Sequence, residues 1–443
     1  MSQTAYNKIR FIGYAVPTTP ADVVDIGNPN GPGAVAGYYL ANTNIHADID
    51  ARIAIMKNAI ELAASKLPAS DGTTLNLFVA PEFYFHGVHG PYIYTDKSND
   101  PVTYLKQQLE SSFNNETYKD WTFVFGSCIT TLVKDIDSVL ASESALTKNS
   151  IVENLSKNWL DSYGPLKGVI LDMLINFIKN SHGYPNCEVR NRSVIISHAQ
   201  VTTPDKTVSA NAMITEKYYC SNEDYLLYST NGSKVVTEQM VAYPIIDLST
   251  GDAKHAVDDM YAIFNQNGTA GTTQMAVEIC LDHADVRLRK NTDNLSDSVT
   301  SINVQIMPSC GMQIIGESIA AGANGFVFNC DGQYFLNGNA TGAEAIKMVN
   351  SVYANYSNHE TYNGRAISYG AHTQFAQVLA GPIKGNPISS GASNAVTKKQ
   401  TSTDCLKVYP VTVPEHLNFS DYFAGGPGEI HIYGSEIPFD LNS

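Results

Sequence analysis

Apolar residues along this chain gather into short continuous runs: KIRFIGYAV at 8–16, LNLFVAPEF at 75–83, WTFVFGSCI at 121–129, TTQMAVEIC at 272–280, INVQIMPSC at 302–310 and ANGFVFNC at 323–330. A strand covered on both faces has no wet side and so no polar alternation. These runs therefore predict buried strands. RNRSVIIS at 190–197 and the stretch entering EKYYC at 216–220 add two more of β character. Helical spacing is read from Ile53, Met56, Ile60 and Ala63, with a cap at Asp48 or Asp50 and a stop near Pro68. The Gly/Pro/Asn-rich stretch from Ile26 to Gly37 predicts a loop. A second helical pattern through Leu155, Leu160, Leu166, Ile170, Leu174 and Ile178 predicts a helical insertion over about 132–182. Buried strands alternating with helical segments predict an α/β fold, layered α-β-β-α. From about Ser389 the composition shifts to Ser, Thr, Gly and Pro, with patterned stretches CLKVYPVTV and EIHIYG. Residues 1–388 are thus read as one domain, and 389–443 as a C-terminal extension packed on its core.

Composition narrows the function classes. The chain has 443 residues, 43% hydrophobic and 16% charged, and a formal net charge of -15. Such a balance opposes phosphate backbones and anionic lipid surfaces at long range, so neither nucleic acid nor membrane is expected as a partner. The N-terminal apolar run is broken by Gly13 and Pro17, too short for an export signal or a membrane span. Seven cysteines without CxxC spacing fit reduced thiols. A cytoplasmic location is expected, with signal-free secretion as the other route.

Three ionisable or nucleophilic residues stand at the ends of apolar runs. Cys280 closes TTQMAVEIC where a buried strand emerges at the sheet edge, and a thiolate there needs a base or a positive charge nearby. Glu82 closes LNLFVAPEF, where a desolvated carboxylate makes a competent general base. Lys217 sits in MITEKYYC among bulky neighbours. Each alone reads more simply as a packed cysteine, a satisfied strand-end carboxylate and an exposed lysine. The ordered combination is what carries chemistry.

LFVAPEF, ITEKYYC and VEICLDH resemble, in order, the glutamate, lysine and cysteine motifs of the nitrilase, or carbon-nitrogen hydrolase, superfamily. FVFGSCI, RNRSVIIS and INVQIMPSC resemble its neighbouring strands, so the resemblance spans about residues 8–335. It implies a four-layer α-β-β-α sandwich, here with insertions, and a Glu82, Lys217 and Cys280 triad. In that chemistry Glu82 takes the thiol proton, Cys280 attacks an amide or nitrile carbon, and Lys217 stabilises the developing negative charge. A thioester follows, which water activated by Glu82 releases. The backbone N–H of Leu281 is the expected second oxyanion donor and Glu223 the candidate accessory glutamate. Tyr84, Phe85, Tyr218 and Ser309 are candidates for the substrate pocket. No metal or organic cofactor is implied, and the partners expected are a small amide, nitrile or carbamoyl substrate and a second copy of the chain, as a homodimer or larger assembly. Leu281, where many true nitrilases carry tryptophan, favours amides. Two departures stand out: Glu216 precedes the lysine where arginine is usual, and Glu278 puts a carboxylate two residues before the nucleophile.

Three rival readings use the same residues. A Cys280–His283 dyad is one. A metal site of Glu82, His86 and His89 is another, since carboxylate and imidazole suit zinc, although Gly87 and Gly90 favour a loop there. The third is a catalytically inactive fold of this type serving binding or assembly.

Overall fold

The apolar runs form strands in the computed structural model, and both faces of each are covered because the sheet they build curls back on itself. The structure describes residues 6–18, 22–25, 35–87, 90–94, 96–133, 187–203, 208–217, 263–269, 273–284, 286–289, 302–332, 335–336, 361–362, 365–369, 371–380, 396–399, 405–423 and 426–441. The predicted helical insertion falls beyond residue 133, outside the described residues.

Ten strands position the site: β1 (Lys8–Ala15), β2 (Thr74–Val79), β3 (Trp121–Val124), β4 (Cys187–Thr202), β5 (Ser209–Glu216), β6 (Thr273–Val277), β7 (Ile302–Ser309), β8 (Ala321–Asp331), β9 (His372–Ala380) and β10 (Glu429–Tyr433). They belong to one 16-stranded mixed sheet. Its two halves are built alike. β1, β2 and β3 run parallel with β2 in the middle, and β6, β7 and β8 run parallel with β7 in the middle. Between the halves lie antiparallel β4 and the strand Ile263–Gln266; outside them, β10 runs antiparallel to β1 and β9 antiparallel to β8. The fold is mixed α/β, as the alternation of strand and helix patterns predicts.

The halves face one another. Side chains alternate along a strand, so β1 sends Ile9 and Phe11 inward while Ile12 and Tyr14 point to the opposite face. Inside, the Phe11 ring lies 4.6 Å from Phe375 and 5.4 Å from both Phe326 and Phe328. Burial of each such ring contributes about 1.5–3 kcal/mol. Two residues on, Gly13 has no side chain because a Cβ there would stand 2.3 Å from Thr373 Cγ2 on the opposing half.

Helices α1 (Ile45–Ser65) and α2 (Pro101–Phe113) cover the outer face of the β1–β3 half. α1 begins a turn earlier than the Asp48 or Asp50 cap predicts. Asn44 is the cap, its side chain accepting from Ala47 N, while Asp48 is buried and ion-paired with Arg52 at 2.6 Å. The outer face of the other half is packed by Leu288, Met312, Ile314 and Ile319 from the short helix α3 (Leu281–Ala284) onward. Around the predicted loop at 26–37, Asp22–Asp25 and Val35–Tyr38 pair as antiparallel strands. At the C-terminus, Leu406–Pro410 pairs with β10 and Phe439–Asp440 with β1, so these segments extend the main sheet. Among the described residues no helix is long and apolar enough to cross a membrane.

Candidate functional site

Parallel strands deliver their C-terminal ends to one edge, and all three candidate residues lie along it. After Val79 the chain turns at Pro81 and passes through Phe83 at φ 59°. The bend closes against Gly126, at φ 65°, where a Cβ would meet Pro81 O at 2.1 Å. Glycine is required there on both counts. Glu82 N–H donates to Ser309 O (3.2 Å), and Thr18 Oγ1 donates to Glu82 O (2.6 Å). Phe83 N–H donates to Ser127 Oγ (2.9 Å). Both half-sheets thus hold the backbone that carries Glu82.

The Glu82 carboxylate is buried, and its Oε1 accepts from Lys217 Nζ and from Asn191 Nδ2, each at 2.9 Å. Lys217 arrives one residue past β5, where Arg192 pairs with Glu216, and Lys217 N–H donates to Asn191 O at 2.8 Å. Asn191 therefore fixes lysine by its backbone and glutamate by its side chain. Glu216 makes a bidentate pair with Arg190, 2.8 Å at its shortest. The Glu216 carboxylate is spent there. The ammonium lies 5.8 Å from the centre of the half-buried Phe83 ring.

Cys280 follows β6 at φ 48°, a left-handed backbone conformation that costs a non-glycine residue about 1–2 kcal/mol. Its N–H donates to Pro308 O (3.0 Å) and its thiol to Cys310 O (3.9 Å). Burial and the Glu82 charge push the thiol well above its ordinary range, and Lys217 pulls it down. Two N–H groups beyond Cys280 turn back, Asp282 to Ile279 O and His283 to Cys280 O. The Leu281 N–H, at the start of α3, takes no backbone partner among the described residues. Asp282 pairs with Arg287 at 2.7 Å, and Arg287 reaches Glu216 O at 2.9 Å, tying the cysteine turn to the lysine strand.

Glu278 is held by hydrogen bonds inside the protein. Its Oε1 accepts from Gln305 Nε2 and lies against His283 Nδ1, both at 2.5 Å. Ile315 N–H donates to His283 Nε2 at 2.9 Å, so that nitrogen carries the lone pair and Nδ1 carries the hydrogen given to Glu278. Both imidazole nitrogens are occupied. The Cys280–His283 dyad is overturned on that ground.

The other candidates separate. Tyr84 and Phe85 are fully buried in the cluster beneath α1, with Tyr84 OH on Arg52 O at 3.1 Å. Ser309 Oγ is spent on Asp331 Oδ2 (2.5 Å) and Asn329 Oδ1 (2.7 Å). Tyr218, Glu223 and His89 lie outside the described residues. His86 Nδ1 lies 2.7 Å from Phe83 O, and burial with the nearby Arg52 charge holds the imidazole well below its usual range. Among the described residues no group of three or more His, Cys, Asp or Glu side chains is placed to hold a metal.

Residues that sequence reasoning passed over complete the surroundings. Asp331 Oδ2 accepts from Gly311 N (2.7 Å) and Met312 N (2.9 Å) besides Ser309, and so shapes the turn that carries the Cys310 carbonyl. It closes the ANGFVFNC run as Glu82 closes its own, so the same strand-end rule would have found it. Asn191 lies among Arg190, Arg192 and Ser193, so polarity alone does not single it out. Phe83, Thr18 and Ser127 give no comparable signal.

No protein-family model matches the chain, and no curated protein matches it in sequence. Among solved structures it is similar to that of Saccharomyces cerevisiae Nit3, a member of branch 10 of the nitrilase superfamily. The likeness covers 86% of this chain and 92% of that chain, at 10% identity and a TM-score of 0.33.

Proposed function

We propose that the protein is a hydrolase of non-peptide carbon-nitrogen bonds, acting on small amides in preference to nitriles. One observation carries the reading. A buried carboxylate and ammonium, 2.9 Å apart, act electrostatically on the thiol of Cys280. A salt bridge buried this deeply is weak evidence for stability, since two well-packed apolar residues would serve as well. Its cost makes sense where the charges act on a third group.

In this reading Glu82 accepts the Cys280 proton as the thiolate attacks the substrate carbon, and the oxygen or nitrogen that gains charge is held by Lys217 and the Leu281 N–H. The proton on Glu82 passes to the departing amine or ammonia. Glu82 then takes a proton from water, which attacks the thioester and frees the thiol. The raised thiol range fits a nucleophile deprotonated only as it reacts. Asn191 holds the carboxylate in place through both steps. The four-layer sandwich, the homodimer, and contributions from Glu223 and Tyr218 belong to the same proposal.

The test is ammonia release from a panel of amides, nitriles and carbamoyl compounds, with wild type beside Cys280→Ala. Release from at least one amide, lost in the variant, is expected. Release unchanged by the substitution overturns the mechanism, and a wild type inert on the whole panel favours a binding role.

A further inference from the structure

A second cysteine faces the same site. Continuing the β6 and β7 register beyond Val277↔Ile306 sets Cys280 beside Ser309, and the Cys280 N–H to Pro308 O bond holds that alignment. Cys310 is one residue farther. With neighbouring strands about 4.8 Å apart and a rise of about 3.3 Å per residue, the two Cα atoms are roughly 6 Å apart. Disulfides span about 4.4–6.8 Å between Cα atoms. The Cys280 Sγ contact with Cys310 O at 3.9 Å agrees with that estimate. Both thiols also lie in the field of Glu82 and Lys217.

We propose that Cys310 is a resolving cysteine, which closes a reversible disulfide onto Cys280 when the nucleophile is oxidised by a peroxide. This rests on Cys280 being the reacting thiol. Glu82 takes the Cys280 proton as the sulfur attacks one oxygen of hydrogen peroxide, the O–O bond breaks, the departing hydroxide takes that proton back from Glu82 and leaves as water, and a sulfenic acid forms. The Cys310 sulfur then attacks the Cys280 sulfur. The S–S bond forms, the S–O bond breaks, and the leaving hydroxide departs as water with the Cys310 proton. Two thiols lose two electrons in total and the peroxide becomes two waters. A dithiol reductant reverses the bond by exchange. Without a resolving thiol the sulfenic acid would go on to sulfinic acid, which such a reductant does not reverse.

The placement of other cysteines supports this pairing. Cys128 and Cys330 are fully buried, the latter with its thiol on Tyr14 O at 3.5 Å. Cys310 is partly exposed and adjoins Gly311, at φ 109°, where the backbone lacks a Cβ to resist adjustment. A closed bond masks the nucleophile. Hydrolysis would stop and later resume, leaving the chain undamaged.

The experiment treats the full chain with hydrogen peroxide, blocks remaining thiols with iodoacetamide, and maps linked peptides by tandem mass spectrometry, before and after dithiothreitol. A Cys280–Cys310 link that dithiothreitol removes is expected. In Cys310→Ser, and in Cys310→Ala as a second variant, Cys280 should instead carry sulfinic acid that dithiothreitol leaves in place. Sulfinic Cys280 with free Cys310 in the wild type overturns the proposal, as does a link to Cys330 or no oxidation at all. The hydrolase reading fails separately, through turnover that survives Cys280→Ala, so the two failures are distinguishable.

Discussion

Replacing Lys217 by methionine tests the buried pair most directly. Methionine nearly matches the lysine stem in volume, so the packing term is small and the change isolates the charge. The side chains of Lys217 and Glu82 are 0% and 1% exposed and 2.9 Å apart, so the variant leaves a buried carboxylate that keeps the Asn191 Nδ2 donor but loses its ammonium. Removing one member of a buried pair costs about 3–5 kcal/mol, a large share of the roughly 5–15 kcal/mol that holds a typical protein folded. Glu82→Gln is gentler. The amide oxygen still accepts from Asn191 and Lys217, and the loss is that of a charge-assisted bond, about 1.5–3 kcal/mol.

The double variant decides the matter. Once Lys217→Met has removed the ammonium, adding Glu82→Gln removes the buried charge left behind, so the two substitutions together should be no less stable than Lys217→Met alone. The summed single losses should exceed the double loss by about 2–3 kcal/mol. Urea midpoints read by tryptophan fluorescence supply the numbers, since Trp121 is buried beside the stacked Phe123. The denaturant slope should stay constant across the set. Losses that add to within about 0.5 kcal/mol would refute the pairing and, with it, the electrostatic argument for the site.

Three further outcomes follow from the geometry. Gly126→Ala meets Pro81 O and a left-handed backbone at once, so it should cost more than the roughly 1–2 kcal/mol of the conformation alone; a thermal midpoint equal to that of wild type would contradict the bend that presents Glu82. His86 is held neutral by burial and Arg52, while the unfolded chain takes up a proton near pH 6.5. Its contribution is therefore fully present above that pH and lost as pH falls below it, by up to about 1.4 kcal/mol per unit. His86→Gln should flatten the pH dependence of the urea midpoint between about pH 6.5 and 5, and an unchanged slope would sink the assignment. Asp331→Ala takes the carboxylate away from Ser309 Oγ, Gly311 N and Met312 N. At roughly 1–3 kcal/mol per buried donor the loss should reach at least about 3 kcal/mol, with Asp331→Asn recovering part of it; calorimetry showing a loss below about 1 kcal/mol would contradict the network.

What the sequence made legible was local. Apolar runs covered on both sides marked β1, β2, β6, β7 and β8, and Glu82 and Cys280 stood out because a polar group after such a run must be accounted for. The helix start was misplaced by one turn because Asn44 and Asp48 are both capping residues; Arg52, whose guanidinium also reaches Tyr84 O and Leu40 O, and the Tyr92 hydroxyl draw Asp48 inward. The Glu278 question was beyond reach for a different reason. Its answer needs Gln305 from the next strand and the Ile315 N–H that fixes the His283 tautomer, and those meet only through the β6 and β7 register.

The same register argues for how the site is divided. On one side of Cys280 the strand-end groups form a charged pair that acts on the thiol, and on the other a carboxylate and an imidazole are locked together by Gln305 and Ile315. Burial and Glu82 raise the thiol and Lys217 lowers it, while Glu278 is bonded to Gln305 and His283. Tied to His283, it serves the outer face of the β6–β8 half instead. Glu82 is thus the carboxylate that bears on the thiol, and Asn191 is the residue that holds it. It donates to the carboxylate with its side chain and accepts from Lys217 with its backbone, so a shift of β4 by one position would disturb carboxylate and ammonium together.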